Sequence, residues 1–399
     1  MKRFLIFTLC TLMIFSSAGC KSNPDNSSVP QSSTAAAEAE VFASPVRGFN
    51  TGTAEKRTLA NTYYCLTQEK QLNVVYIGGS ITVGTGGTKG GWRAATAEWL
   101  ADTYPEATVN ATNVAIGGTS SMWGLFRTQR DVVGANPDLV FIEYAVNDSF
   151  FGLSESQSAA FMDAMVRKIN TECPAADIVL VFTTNKGHLG KDTDNLVAHR
   201  NVAEYYGIPY IDVGKALIAE IEATGRDWEY YVADYSHPNN LGYQIYSDTI
   251  IDTISAMLTA AGNTTAKTEH KISETPYTTN TPQNVITMFA DEIEHDDKWR
   301  FDNSADADMR YDTALIAREE GAKITIKFEG CMVGYVGYVK KNAAVKVTID
   351  GGYEKTVNHG NSENGVEALL YDDLAPGEHT LTLEYVGPGY FTIGAILIG

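Results

Sequence analysis

Leu72-Asn73-Val74-Val75-Tyr76-Ile77-Gly78-Gly79-Ser80-Ile81-Thr82 is the stretch that decides the fold. Its first half is short, apolar and rich in β-branched residues, which reads as a strand. Two glycines then break the run, and a serine follows at its tip. A strand without polar alternation is one covered on both faces, as in parallel sheets. In such sheets ligands bind beyond the carboxyl ends of the strands, where this serine falls. Taken alone, Gly-Gly-Ser is an ordinary turn. It is also not the Gly-x-Ser-x-Gly elbow, because Thr82 stands where the last glycine would be.

Working outward, the same pattern recurs. Runs at 108–116, 139–146, 178–183 and 208–213 read as further strands, the first ending in Gly117-Gly118 and the second in Asn147-Asp148. Helical patterns lie between them at 91–103, 121–133, 156–171, 196–206 and 241–258. Strands alternating with helices predict an α/β domain over 46–261 with helices on both faces of a parallel sheet. From about 281 the texture changes. Lys323-Ile324-Thr325-Ile326-Lys327-Phe328 alternates with period two, as do 345–349 and 380–385, and Asp350-Gly351-Gly352 and Pro376-Gly377 are turn signals. This predicts a β-sandwich over 281–399, reached through a polar linker at 262–280.

The chain starts differently. Lys2 and Arg3 precede an apolar run from Phe4 to Phe15, which is a secretory signal too short to span a bilayer. Ser17-Ala18-Gly19-Cys20 resembles a bacterial lipobox, with Ser17 where leucine is usual, so residues 1–20 are read as a signal peptide and Cys20 as a lipidated residue. A plain signal peptide is the alternative. Residues 21–45, rich in Ser, Ala, Asn, Pro and Glu, predict a flexible tether. The expected location is the outside of a bacterial membrane, periplasmic or at the cell surface.

Of 399 residues, 49 are acidic and 30 basic, a formal charge of -19. Such a surface repels polyanions, which argues against nucleic acid as a partner. Cys65, Cys173 and Cys331 are too few and too scattered for a disulfide framework or a zinc site. The acidic run Asp291, Glu292, Glu294, Asp296 and Asp297 lacks EF-hand spacing. Neither a metal nor a cofactor is expected.

An uncharged serine that attacks an ester needs a base, something to orient the base, and donors for the oxyanion. Four stretches offer these. Ser80 has an exposed hydroxyl on a tight turn. Gly118 allows its N–H to approach a ligand closely. Asn147 carries an amide donor, or alternatively caps a helix together with Asp148. Asp234-Tyr235-Ser236-His237-Pro238 sets a carboxylate three residues before a histidine in a loop that opens a helix, unlike the other six histidines. The four together, in this order, resemble the SGNH or GDSL-type hydrolase family over about 72–258.

The resemblance implies a flavodoxin-like three-layer α/β/α fold. It implies Ser80 as nucleophile, His237 as base and Asp234 as its orienter, with an oxyanion hole from the Ser80 and Gly118 N–H groups and the Asn147 side chain. The family's usual Gly-Asp-Ser reads Gly-Gly-Ser here, and Ala145 replaces the glycine usual two before the asparagine. The expected activity is hydrolysis of a small acyl ester, acetyl above all, on a polysaccharide. The alternatives are a lipase or lysophospholipase of the same family, and a non-catalytic surface glycan-binding lipoprotein.

Four other groups draw notice. Glu143, inside an apolar strand, is expected to pair with an arginine such as Arg127 or Arg130, or to sit near the strand end. Trp123 is read as core. His188 and His199 are read as solvated or structural. In the β-module Trp299, Tyr335, Tyr338, Tyr353, Tyr371, Tyr385 and Tyr390 are either sugar-stacking platforms or ordinary strand residues.

Overall fold

Strand β1 (Gln71–Gly78) lies inside a five-stranded parallel sheet of order β2-β1-β3-β4-β5. Its partners are β2 (Thr108–Asn113), β3 (Leu139–Glu143), β4 (Asp177–Phe182) and β5 (Tyr210–Asp212). The structure is a computed structural model, and it describes residues 41–42, 48–51, 54–282, 284–303, 311–361 and 363–399. The leader with Cys20 lies outside the described residues, as does most of the 21–45 stretch. Of that stretch, Phe42 packs edge-on against Tyr353 at 5.1 Å between ring centres.

Alternate residues of the inner strands serve two cores. Val75, Ile77, Val140, Ile142, Ile178 and Leu180 face one, while Leu72, Val74, Tyr76, Phe141, Val179 and Val181 face the other. That is the period-two consequence of a pleated strand with helices above and below. The helices are α1 (Ala60–Tyr64), α2 (Ser80–Val83), α3 (Gly91–Thr103), α4 (Ser121–Arg127), α5 (Ala145–Phe151), α6 (Glu155–Glu172), α7 (Asp194–Tyr206), α8 (Val213–Thr224), α9 (Trp228–Tyr231) and α10 (Asn240–Ala260). Three-layer α/β/α architecture in the flavodoxin-like order 2-1-3-4-5 is thus observed.

Some boundaries differ from the sequence expectation. The 108–116 run yields a strand only to Asn113, largely exposed, because Thr108-Val109-Asn110-Ala111-Thr112-Asn113 is polar and forms the sheet edge. The 139–146 run is strand only to Glu143. Ala145 begins α5, so Asn147 and Asp148 lie inside a helix, not in a loop, and neither caps it. The expected 121–133 helix leaves α geometry at Arg127 and continues as a wider turn over Thr128–Val132. There the fully buried Arg127 guanidinium bonds Val114 O, Asp131 and the Tyr144 hydroxyl.

The 262–280 segment runs over the α/β domain. Lys267 bonds Asp138 at 3.0 Å and His270 bonds Asp177 at 2.8 Å. Beyond it, ten strands among the described residues, β6 to β15, form two antiparallel sheets. One holds β13 (Glu363–Tyr371), β10 (Val333–Lys340), β15 (Tyr390–Ile398), β8 (Ala314–Ala317) and β7 (Trp299–Asp302), with β6 (Ile286–Phe289) paired to β15. The other runs β12 (Tyr353–Asn358), β11 (Ala344–Ile349), β14 (Gly377–Tyr385) and β9 (Lys323–Gly330). Ile324, Ile326 and Phe328 of β9 meet Tyr335, Phe391 and Ile393 in the sandwich core. Val336, Ala395 and Leu397, on the opposite face of the first sheet, belong instead to a core shared with Phe126, Phe161 and Met165 of the α/β domain. Trp299, Tyr335 and Tyr385 are buried at 5% exposure or less, so those three aromatics are core and not sugar platforms.

Candidate active site

The strand order reverses at β1. The chain leaves β1 for β2 on one side, then returns to β3 on the other. That switch opens a crevice at the carboxyl ends of the strands. Ser80 follows β1, the Gly117-Gly118 turn follows β2, and Asn147 sits in the first turn of the helix after β3. The topology therefore brings three of the sequence-derived candidates to one place.

Close approach requires the first glycine before Ser80: a Cβ on Gly78 would lie 2.4 Å from Thr82 Oγ1 and 2.7 Å from Glu143 O. One on Gly79 would lie 2.3 Å from Asn147 Nδ2, so a larger residue there would displace that amide. Gly79 caps α2, so Ser80 is its first residue. The first N–H groups of a helix have no intrahelical acceptor, which leaves the Ser80 N–H available to a ligand. A Cβ on Gly117 would stand 3.5 Å from Ser80 Cβ, so that turn faces the serine. Gly118 adopts φ +64°, a left-handed conformation suited to glycine. Asn147 Nδ2 donates to Thr119 O at 2.6 Å, with its second hydrogen uncommitted by that bond.

The histidine arrives on the loop between α9 and α10. Val232 bridges Pro238, Ala233 N–H donates to His237 O at 2.8 Å, and Trp228 Nε1 donates to Asp234 O at 3.1 Å. Gly86, at φ +89°, lets a neighbouring loop lie against His237, since a Cβ there would be 2.9 Å from His237 Cβ. Tyr243 of α10 donates to Ile81 O at 3.1 Å and Thr85 O at 2.8 Å, tying the helix after the histidine to the turn after the serine.

Ser80 Oγ lies 2.7 Å from His237 Nε2, and His237 Nδ1 lies 2.7 Å from Asp234 Oδ2. An ionised carboxylate only accepts, so Nδ1 carries the proton and Nε2 is left to accept the serine O–H. Asp234 Oδ1 also accepts the Ser236 and His237 N–H groups at 2.8 Å each. Partial burial works to raise this carboxyl, but the His237 ring and the two N–H groups outweigh it and hold it below the usual carboxylate range.

Two supporting clusters were not read from the sequence. Glu143 pairs with neither Arg127 nor Arg130 but is the last residue of β3, the other placement expected of it. Its oxygens accept Thr82 Oγ1 and Thr183 Oγ1, both at 2.9 Å, directly beneath the Ser80 turn, and burial pushes its carboxyl up. The hydroxyls meet the polar demand without bringing a second charge into the core. Asp148, fully buried, accepts Ser121 N–H at 2.8 Å and Ser121 Oγ at 2.7 Å, and contacts His199 Nε2 at 2.9 Å. It thereby fixes the start of α4 just beyond the Gly118 turn, and His199 proves buried rather than solvated. An unpaired acid after Asn147 was the signal available for Asp148. Elsewhere Cys65, Glu69 and Asp138 converge, but Lys267 Nζ stands between the carboxylates at 2.7 and 3.0 Å, an ion-pair network.

Residues 76–245 match the model of the GDSL-like lipase/acylhydrolase family. The matched stretch lies within the α/β domain, and the class of protein it supports is a carboxylic ester hydrolase. Two crystal structures of a two-domain esterase active on acetylated mannans, one co-crystallised with mannopentaose, are similar over both domains. They share 21% identity and superpose with TM-scores of 0.72 and 0.73, covering 87% of this chain and 96% and 97% of theirs. No curated protein matches the chain.

Proposed function

We propose that this protein is a serine esterase that removes acetyl groups from a polysaccharide. The observation that carries the reading is the unbroken chain Ser80 Oγ–His237–Asp234, 2.7 Å at each link, at the switch point of the sheet. His237 Nε2 takes the Ser80 proton as Oγ attacks the ester carbonyl. The tetrahedral oxyanion is met by the Ser80 and Gly118 N–H groups and the Asn147 amide. His237 returns the proton to the leaving sugar oxygen, and an acetyl-Ser80 intermediate remains. Water, activated by the same imidazole, then releases acetate.

One observation supports a carbohydrate ester: the structural relatives are described as active on acetylated mannans. Acetate release from a panel of acetylated mannans and xylans, with Ser80→Ala as control, tests the reading. Full activity in Ser80→Ala would sink the mechanism, and release from simple aryl acetates but from no glycan would sink the substrate.

Cys20 is proposed as the site of lipid attachment that holds the enzyme at a bacterial membrane. Palmitate labelling lost in Cys20→Ala supports this, and equal labelling of both overturns it.

A further inference from the structure

The loop from Ile116 to Ser121 carries the Gly118 N–H, and its flanks are fixed from within the α/β domain. Ile116 N–H donates to Gly78 O at 3.0 Å, Thr119 O accepts Asn147 Nδ2 at 2.6 Å, and Ser121 N–H donates to Asp148 at 2.8 Å. Ser120, between these anchors, is held from the other domain. Glu367, in strand β13, places its two carboxylate oxygens 3.1 and 3.2 Å from Ser120 N and also accepts the Ser120 hydroxyl. Hydrogen bonds to an ionised acceptor are shorter and stronger than neutral ones. The Ser120 Oγ in turn accepts Met122 N–H at 3.2 Å, capping α4, so the carboxylate orients the cap as well as the loop.

We propose that Glu367 is a positioning residue for the oxyanion hole, so that the C-terminal domain takes part in the chemical step. The inference rests on Gly118 being an oxyanion donor, as proposed above. The donor sits two residues from the atoms Glu367 grips. A shift of about 1 Å in such a donor costs on the order of 10²-fold in rate. The geometry makes a specific distinction. A domain that only binds glycan leaves turnover of a small soluble ester untouched, whereas a domain that holds the oxyanion loop does not.

The test uses the full chain and p-nitrophenyl acetate, which lacks any glycan for the β-domain to bind. Glu367→Ala is expected to lower kcat by about 10- to 100-fold with KM within about twofold. Glu367→Gln, which keeps a carbonyl acceptor for the Ser120 N–H, recovers part of the loss. In a Ser120→Ala background the further cost of Glu367→Gln should shrink, because the two changes remove one shared contact. Should Glu367→Ala fail to fold by circular dichroism, the Gln variant and the Ser120 cycle carry the same comparison. Wild-type kcat in both Glu367 variants, or fully multiplicative effects in the cycle, overturns the proposal. Ser80→Ala and Asn147→Ala run alongside. If they lose activity while Glu367 variants keep it, only this inference falls; if they keep it, the site assignment itself falls.

Discussion

Asp234 accepts three hydrogen bonds although its side chain is 55% exposed. Water screens the charge there, so its value to the site is orientation of the His237 ring more than field strength. Asp234→Asn should keep the loop but offer an amide where an acceptor is needed, lowering kcat by about 10²- to 10⁴-fold. The pH dependence has a definite sign. The folded carboxyl titrates below its ordinary value, so its contribution is complete above that value and is lost only as pH falls through the depressed one. Protonation of Asp234 should therefore begin only below about pH 4, and a carboxyl titration followed by NMR that falls well above the ordinary carboxylate range would contradict the assignment. Asn147→Ala, which removes one donor beside Gly79, should cost about 10²- to 10³-fold in kcat with little change in KM.

At the scale of elements, Glu143 joins the ends of β1, β3 and β4 through Thr82 and Thr183. Burial raises its carboxyl, and a raised folded value means its contribution is fully present at low pH and is lost as pH rises through that value. Glu143→Gln mimics the neutral form. Its melting temperature relative to wild type should climb with pH, as followed by circular dichroism from pH 4 to 9, and a constant difference would refute the account. Much of this architecture was legible beforehand. Helix α3 appears as expected from 91 to 103, because its apolar spacing and the glycines before it are local signals. The Ser80 turn and the Asp234-x-x-His237 loop were legible for the same reason, since each is a short pattern with its own chemistry. Helix α8 was not expected, although Asp212, whose side chain accepts Lys215 N–H at 2.9 Å, caps its start; the strand of three residues before it merged with Val213 into one apolar run. The start of α5 was hidden by apolar Ala145-Val146, which read as more strand. The Glu143–Thr82–Thr183 cluster and the Ser120–Glu367 contact join positions 40 to 247 apart, and no local pattern encodes such partners.

Over the whole molecule, β15 is the element with two allegiances. Ile396 and Ile398 face the sandwich, Ala395 and Leu397 face the core shared with the α/β domain, and all four are buried. Leu397→Ala should cost about 2–5 kcal/mol, the usual range for a buried leucine emptied to alanine. Because the cavity opens into the shared core, calorimetry should show one transition moving down as a unit. Two separate transitions, with only one displaced, would show that the domains unfold independently. The joint core also bears on ancestry. An appended carbohydrate module that hangs on a linker can be exchanged by recombination between genes, one domain at a time. Here a crossover at the domain junction would leave Phe126, Phe161 and Leu397 facing surfaces that never coevolved with them. Lineages carrying this pair should therefore inherit both halves as one block, and the search for natural chimeras of either half with a foreign partner should come back nearly empty.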